Sequence, residues 1–474
     1  MSTLIISLLL LVGGYAVYGA VMSRIVRIDP KAKVPAIEKA DGVDFVPLPA
    51  WKVFLIQFLN IAGLGPIFGA IMGIMFGPAA FLWIVFGTIF AGAVHDFVSG
   101  VMSLRSDGAS LPELVGQQLG LSMKHVMRVF SLILLVLVGT VFVVSPADLI
   151  ATMTPEWMDK TFWIVVIFVY YTLATLLPID KLIGNLYPLF GLALLFMAVG
   201  LLAVMLSGAV NIPDGVSDGF YNRHPKVAYI FPMMFVSIAC GAISGFHATQ
   251  SPMMARCLKN EKLARPIFYG AMVAEGIVAL VWAAAAVAFT GGYEQLADYM
   301  AAPGHSAGSL VKDVSVSWLG PVGGALAILG VIVAPISTGD TALRSARLIV
   351  ADFMHFDQSK LWRRVLISLP IFVAAFALML IDFNVLWRYF AWSNQTLSCF
   401  TLWAATVWLA RKGSWYIVTL LPALFMTVVC VTYFLFAPRP EGLGLPIMAA
   451  VGAGVIAALA MLLLFATKRK KLAE

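Results

Sequence analysis

An all-α polytopic membrane protein of about thirteen spanning helices, two of them discontinuous, is what this sequence predicts, on three observations. Of its 474 residues 61% are hydrophobic and 12% charged, with a mean hydropathy of +0.95, more apolar surface than a soluble domain can hide from water. Apolar stretches of about 20 residues, enough to cross the hydrocarbon of a bilayer, recur along the whole chain. Lys and Arg gather on alternate connections between those stretches.

Taken in order, the spans are expected at 3–22, 51–75, 79–103, 127–146, 161–179, 183–206, 229–250, 266–290, 319–343, 364–381, 387–410, 414–436 and 443–466. They are numbered spans 1 to 13 below. Span 1 has no basic segment before it and is followed by Arg24 and Arg27, so it reads as a retained helix rather than a cleaved leader. With alternate connections placed in the cytoplasm, 25 of the 31 Lys and Arg fall inside, leaving Lys160, Arg223, Lys226, Lys312, Arg388 and Arg439 outside. The N-terminus is then outside and the C-terminus cytoplasmic. Anionic membrane lipid is a sufficient partner for this basic rim, and the net charge of +7 calls for no nucleic acid. Cys240, Cys257, Cys399 and Cys430 lie in spans or on the cytoplasmic side without CxxC spacing and read as core residues. The absence of a Walker loop, of a dinucleotide-binding glycine motif and of HExxH removes the usual signatures of ATP-driven pumping and intramembrane metalloproteolysis.

Span 2 contains Asn60-Ile61-Ala62-Gly63-Leu64-Gly65-Pro66 near its middle. Pro66 cannot donate its N–H and clashes with the preceding turn, while Gly63 and Gly65 relax the backbone, so the helix should be interrupted there. A second interruption is expected in span 7, over Cys240-Gly241-Ala242-Ile243-Ser244-Gly245-Phe246-His247-Ala248-Thr249-Gln250-Ser251-Pro252. Taken singly, each glycine reads as a small residue that lets helices approach closely. Two breaks at equal depth are a stronger pattern, because unpaired backbone in hydrocarbon is tolerated only where it lines a cavity or meets a ligand. The broken spans stand five positions apart and run in opposite directions. Spans 2–6 and 7–11 therefore read as an inverted repeat of five helices, the arrangement of secondary transporters that hold substrate at the midplane. This divides the chain into an N-terminal helix and linker (1–50), a first repeat (51–206), a second repeat (207–411) and two additional helices with a basic tail (412–474).

Ionisable groups at membrane depth are costly and read as functional until a structural role is found. Asp96 follows His95 in span 3; neighbours in sequence diverge by about 100° around a helix, so the two are not expected to pair. In span 9, Ser337, Asp340 and Thr341 share one face with Thr338 beside them, an oxygen-rich set suited to Na⁺ or to a proton carried on the carboxylate. Arg344, four residues after Asp340, offers the alternative of a structural ion pair. Glu275 has only apolar neighbours in sequence and reads as structural. Asn394 and Gln395 fit a gating contact and an interhelical hydrogen bond equally well.

At these residues the chain resembles the carbon starvation protein (CstA) family of bacterial inner-membrane transporters. The resemblance runs from about residue 50 to about 410 and rests on Ile61–Pro66, on Ala91-Gly92-Ala93-Val94-His95-Asp96-Phe97 with Arg105-Ser106-Asp107-Gly108, on Gly241–His247, and on Ser337-Thr338-Gly339-Asp340-Thr341 with Arg344 and Arg347. It implies the leucine-transporter-like fold of the amino acid-polyamine-organocation superfamily and uptake of peptides, or of pyruvate with protons, under carbon limitation. The chain departs from better-known members in being a short form, in carrying Ile56-Gln57 where they have a His pair, and in His95 where they have Gln, so their proton route does not transfer.

Together these readings point to a symporter without a cofactor other than its coupling proton or Na⁺. The substrate site is expected at Asn60, Ala62, Gly63, Gly65, Gly241, Ser244, Gly245, His247, Thr249, Gln250, Asn394 and Gln395. Free N–H groups on the outer half-helices after each break would meet a substrate carboxylate. Asp340 with Ser337, Thr338 and Thr341 is the preferred coupling site, His95 and Asp96 the second. The rival readings are a channel, a nutrient sensor that binds without accumulating, and an intramembrane enzyme, for which a His-Asp neighbour pair supplies neither a nucleophile nor three metal ligands.

Overall fold

The computed structural model describes residues 1–42, 44–151, 153–176, 179–354, 356, 361–381 and 383–473, the side chains of 175–186, 216, 218, 322, 326–327, 384 and 469–473 excepted. The cytoplasmic assignments of Lys181, Lys360 and the basic residues 469–471 fall outside that description. Among the described residues every regular element is helical.

Among the described residues nine helices are long and apolar enough to cross a membrane, ten if the bent pair Ala50–Ile61 and Gly65–Ile74 counts as one. Three expected spans lie outside that number for separate reasons. Span 5 is a shorter apolar helix, Lys160–Ala174. Span 7 consists of two short helices, Met233–Ser237 and His247–Ala255. Span 11, Phe383–Arg411, is 29 residues long but carries Asn394, Gln395 and several hydroxyls that lower its apolarity. Span 9 is continuous with a preceding helix, Ala307–Met354, through a kink at Gly320, whose φ of 68° is the left-handed conformation that glycine adopts without strain.

A large outward-facing set of apolar side chains, among them Leu9, Phe86, Val169, Leu173, Phe376 and Ile456, covers the periphery, as expected of surfaces facing lipid tails. The polar residues collect in the interior instead. Span 8, Glu261–Thr290, lies against spans 1, 2 and 3, the second half of span 7 lies against span 3, and span 9 packs on spans 4 and 6. The two broken spans meet at the centre. A Cβ added to Gly65 would strike the Cys240 side chain, one on Gly69 would lie 2.8 Å from the Ser237 carbonyl oxygen, and one on Gly73 would strike Ile238. The glycine stripe of span 2 is therefore the surface on which span 7 crosses it.

Candidate functional site

The first break behaves as its sequence dictates. The helix Ala50–Ile61 stops at Ala62, the chain bends by 53°, and Gly65–Gly69 restarts as a π-helical turn with Pro66 as its second residue, in the first turn where an N–H has no partner within the helix. Span 9 backs this break: Thr338 Oγ1 donates to the Leu59 carbonyl at 3.2 Å, and Thr341 Oγ1 reaches Asn60 Oδ1 at 3.5 Å. Phe142 packs over Gly63. Asn60 Nδ2 and both amide atoms of Gln57 are buried without a hydrogen-bond partner.

The second break differs from its expected position. The backbone leaves helical geometry from Ile238 to Phe246 and resumes as a helix at His247, so Thr249, Gln250 and Pro252 lie in regular helix instead of in the interruption. Pro252 is the sixth residue of this helix, and next to it Ser251 Oγ donates to the His247 carbonyl at 3.0 Å. The cause of the break lies outside the segment. Trp83 Nε1 donates to the Ile238 carbonyl (3.3 Å) and Thr88 Oγ1 to the Gly241 carbonyl (3.1 Å), both from span 3. On the other side Asn394 Oδ1 accepts from Ser244 Oγ (3.0 Å) and from the Phe246 amide (2.7 Å), and the Asn394 carbonyl accepts from the Gly245 amide at 3.1 Å. Gln395 Nε2 donates to the Phe235 carbonyl in the first half-helix. Side chains of spans 3 and 11 thus do what water would do for an unwound backbone.

This corrects the expectation of open amides after both breaks: at the second, the Gly245 and Phe246 N–H groups are engaged by Asn394. It also shows an interhelical hydrogen bond at Asn394. Asn394→Ala leaves the Ser244 hydroxyl and the Phe246 amide unpaired in a dry interior, a loss of about 1–3 kcal/mol; thermal unfolding in detergent is expected to show it, with Asn394→Asp closer to the parent.

Four ionisable side chains converge beside this break, and all are fully buried. Asp96 Oδ1 lies 2.7 Å from His95 Nδ1 and its Oδ2 lies 2.8 Å from His247 Nδ1. His247 Nε2 in turn stands 3.4 Å from Glu275 Oε2 on span 8. The expectation that His95 and Asp96 do not pair is thus wrong: Nδ1 is the ring nitrogen nearer the backbone, and from there it reaches the carboxylate of the adjacent residue despite the angle between the two positions. A π-helical turn at Thr88–Gly92, one turn earlier, carries span 3 past the Gly241 and Ala242 carbonyls. Glu275, read as structural from its apolar neighbours, finds its partner in tertiary space. The signal for it was its own burial cost. Cys240, His247 and Glu275 place their ligand-type atoms within 4.8 Å of one another, so among the described residues this set could hold a metal.

The span 9 set divides. Ser337 Oγ donates to the Ala334 carbonyl, and Thr338 and Thr341 turn to span 2, whereas Asp340 Oδ2 accepts from Tyr187 Oη of span 6 at 2.6 Å. Asp340 Oδ1 accepts no hydrogen bond, and Arg344 Nη2 donates to the Ala174 carbonyl. Tyr187 had no signal in the sequence. Above the first break a cavity of about 490 Å³ is lined by Phe68, Lys160, His305, Phe383 and Trp387, with Lys160 3.1 Å from Asp148. Tyr299, stacked on His305, is pushed up to about 12 by burial and by its hydrogen bond to Asp313, and is a neutral donor. Between the cavity and Gly63 the rings of Phe68, Trp387, Phe390 and Phe142 follow one another at 5.5–6.1 Å.

The family model for the carbon starvation protein CstA matches residues 1–157, 150–322 and 306–433. An uncharacterized membrane protein of Haemophilus influenzae is 43% identical over 62% of this chain and 92% of its own length. The peptide transporter CstA of Campylobacter jejuni is 29% identical, over 56% of this chain and 47% of that protein. The pyruvate/proton symporter BtsT of Escherichia coli is 28% identical, over 56% and 46%. The chain thus aligns with about half the length of these two transporters. A crystal structure of a manganese transporter mutant from Eremococcus coleocola superposes with a TM-score of 0.53 at 13% identity, over 91% of this chain and 99% of that one, a likeness of fold alone. Broken helices crossing at a buried polar centre, in a multi-pass chain whose named relatives are transporters and not enzymes, match what the family model identifies: the chain belongs to the carbon starvation protein CstA family.

Proposed function

We propose that this protein is a proton-coupled importer of small carboxylate-bearing nutrients, pyruvate or short peptides, in the bacterial inner membrane. Its N-terminus is outside and its C-terminus cytoplasmic, and spans 2–6 rock against spans 7–11. The observation that carries this reading is the pair of broken helices in contact at Gly65 and Cys240, with the unpartnered donors Gln57 Nε2 and Asn60 Nδ2 buried beside the first break. Unmade hydrogen bonds cost about 1–3 kcal/mol each, a cost that a bound carboxylate would remove. Cargo enters from the 490 Å³ cavity, and the Phe68, Trp387, Phe390 and Phe142 rings close the way behind it.

Coupling falls to Asp340. Thr341 turns to Asn60 while Asp340 turns to Tyr187, so these oxygens form no common cage, which favours a proton over Na⁺. Tyr187 accommodates both protonation states, since its hydroxyl donates to a carboxylate and accepts from a carboxylic acid. Asp340 shares span 9 with the hydroxyls that back the first break, which links its charge to the substrate helix.

The test is counterflow in proteoliposomes with labelled pyruvate and a panel of di- and tripeptides under imposed pH and Na⁺ gradients. Exchange of one class, accelerated by inward-directed protons and indifferent to Na⁺, is expected. Flux that ignores both gradients identifies a channel, and saturable binding without accumulation identifies a sensor.

A further inference from the structure

We propose that Cys240, His247 and Glu275 form a binding site for one divalent cation of the zinc class, seated on the second break. The three side chains come from the unwound segment, the first residue of the following helix, and span 8, and each is buried. Two observations independent of their proximity point to a ligand. His247 Nε2 and both Glu275 oxygens make no hydrogen bond although they are sealed from solvent. Asp96 Oδ2, at 2.8 Å, engages His247 Nδ1, which fixes the ring and leaves the Nε2 lone pair directed at Glu275. A carboxylate behind an imidazole is the usual support of a metal-bound histidine, and His95 holds the other Asp96 oxygen in place.

The dimensions fit. Metal–nitrogen and metal–oxygen bonds of about 2.0–2.2 Å in a tetrahedron put the two ligand atoms about 3.4 Å apart; His247 Nε2 and Glu275 Oε2 are 3.4 Å apart. The thiol needs a nitrogen or oxygen at about 3.6 Å once bound. The three atoms already lie within 4.8 Å, so a side-chain adjustment of about 1 Å closes the set. Asn394 Nδ2, 3.4 Å from Cys240 Sγ, is a donor to the resulting thiolate. Binding displaces the thiol proton, together with that of Glu275 when its carboxyl is neutral, and leaves the cation neutralised by one thiolate and one carboxylate, as a buried site requires. A sulfur ligand selects borderline and soft cations and disfavours Mn²⁺ and Mg²⁺. Occupancy ties the break to span 8 and holds span 7 in the present conformation.

The site stands or falls independently of transport. Full-length protein, purified in detergent and stripped with chelator, is titrated with Cd²⁺ alone while the thiolate-to-Cd²⁺ absorption and the metal retained after gel filtration are read. One Cd²⁺ per chain is expected, displaced by Zn²⁺ and not by Mn²⁺. Cys240→Ser abolishes the absorption, and Asp96→Asn weakens affinity by about 10–100-fold. Cys399 and Cys430, with sulfurs 3.6 Å apart, are the competing thiols. A Cys257→Ser, Cys399→Ser, Cys430→Ser variant, in which Cys240 is the remaining cysteine, must keep the absorption, and it decides the matter if Cys240→Ser does not fold. Absence of the band in folded parent protein, or its loss in that triple variant with its thermal unfolding unchanged, overturns the proposal.

Discussion

Asp340→Asn is expected to reduce gradient-driven uptake to the level of empty liposomes while equilibrium binding of substrate persists. The asparagine keeps an oxygen for Tyr187 Oη, so the 2.6 Å contact is conserved in kind and the folded state should lose no more than the ~1.5–3 kcal/mol of a charge-assisted bond. What it cannot do is gain and release a proton. Uptake driven by a pH gradient and counterflow without one therefore separate in this variant, and Tyr187→Phe should impair the first more than the second. Uptake of Asp340→Asn equal to that of the parent would remove the residue from the coupling mechanism.

Gly245→Val is expected to eliminate folded protein rather than to tune it. A Cβ at this position would strike the Asn394 carbonyl and the Ser398 amide, both backbone atoms of span 11, so no flexible side chain can give way. Overpacking of this kind costs about 1–3 kcal/mol even where repacking is possible. Here it also separates the Gly245 amide from the carbonyl it donates to at 3.1 Å. Gly452→Ala is the control, because nothing lies within 4 Å of its Cβ, and replacing a mid-helix glycine is neutral or stabilising by up to ~1 kcal/mol. Fluorescence-detected size-exclusion yields and unfolding midpoints of the two variants test the contrast.

The difference between the two breaks explains how far the sequence could be read. Pro66 flanked by Gly63 and Gly65 interrupts a helix by covalent geometry, which is local and therefore legible. The second break is held by Trp83 and Thr88 from one side and Asn394 from the other, residues more than 140 positions away, so its location shifts from what Pro252 suggests. The same holds for the buried charges. Asp96, His247, Glu275 and Asp340 announce themselves as polar groups in apolar runs, but Tyr187, and the pairing of Glu275 with His247, become visible only when spans 6 and 8 are packed in place. Periodicity also misleads at His95, whose Nδ1 reaches the Asp96 carboxylate at 2.7 Å although the two residues are adjacent in the helix.

The amides of Gln57 and Asn60 give the crossing a sidedness. Asn394 has filled the backbone vacancies on the span 7 side, while the span 2 side keeps two donors in reserve. Under the proposed function, a carboxylate-bearing cargo would turn its charged head towards span 2 and its other end towards the aromatic rings. A molecule with a carboxylate at both ends would then leave one of them without a donor, because Asn394 already engages the Gly245 and Phe246 amides of the second break.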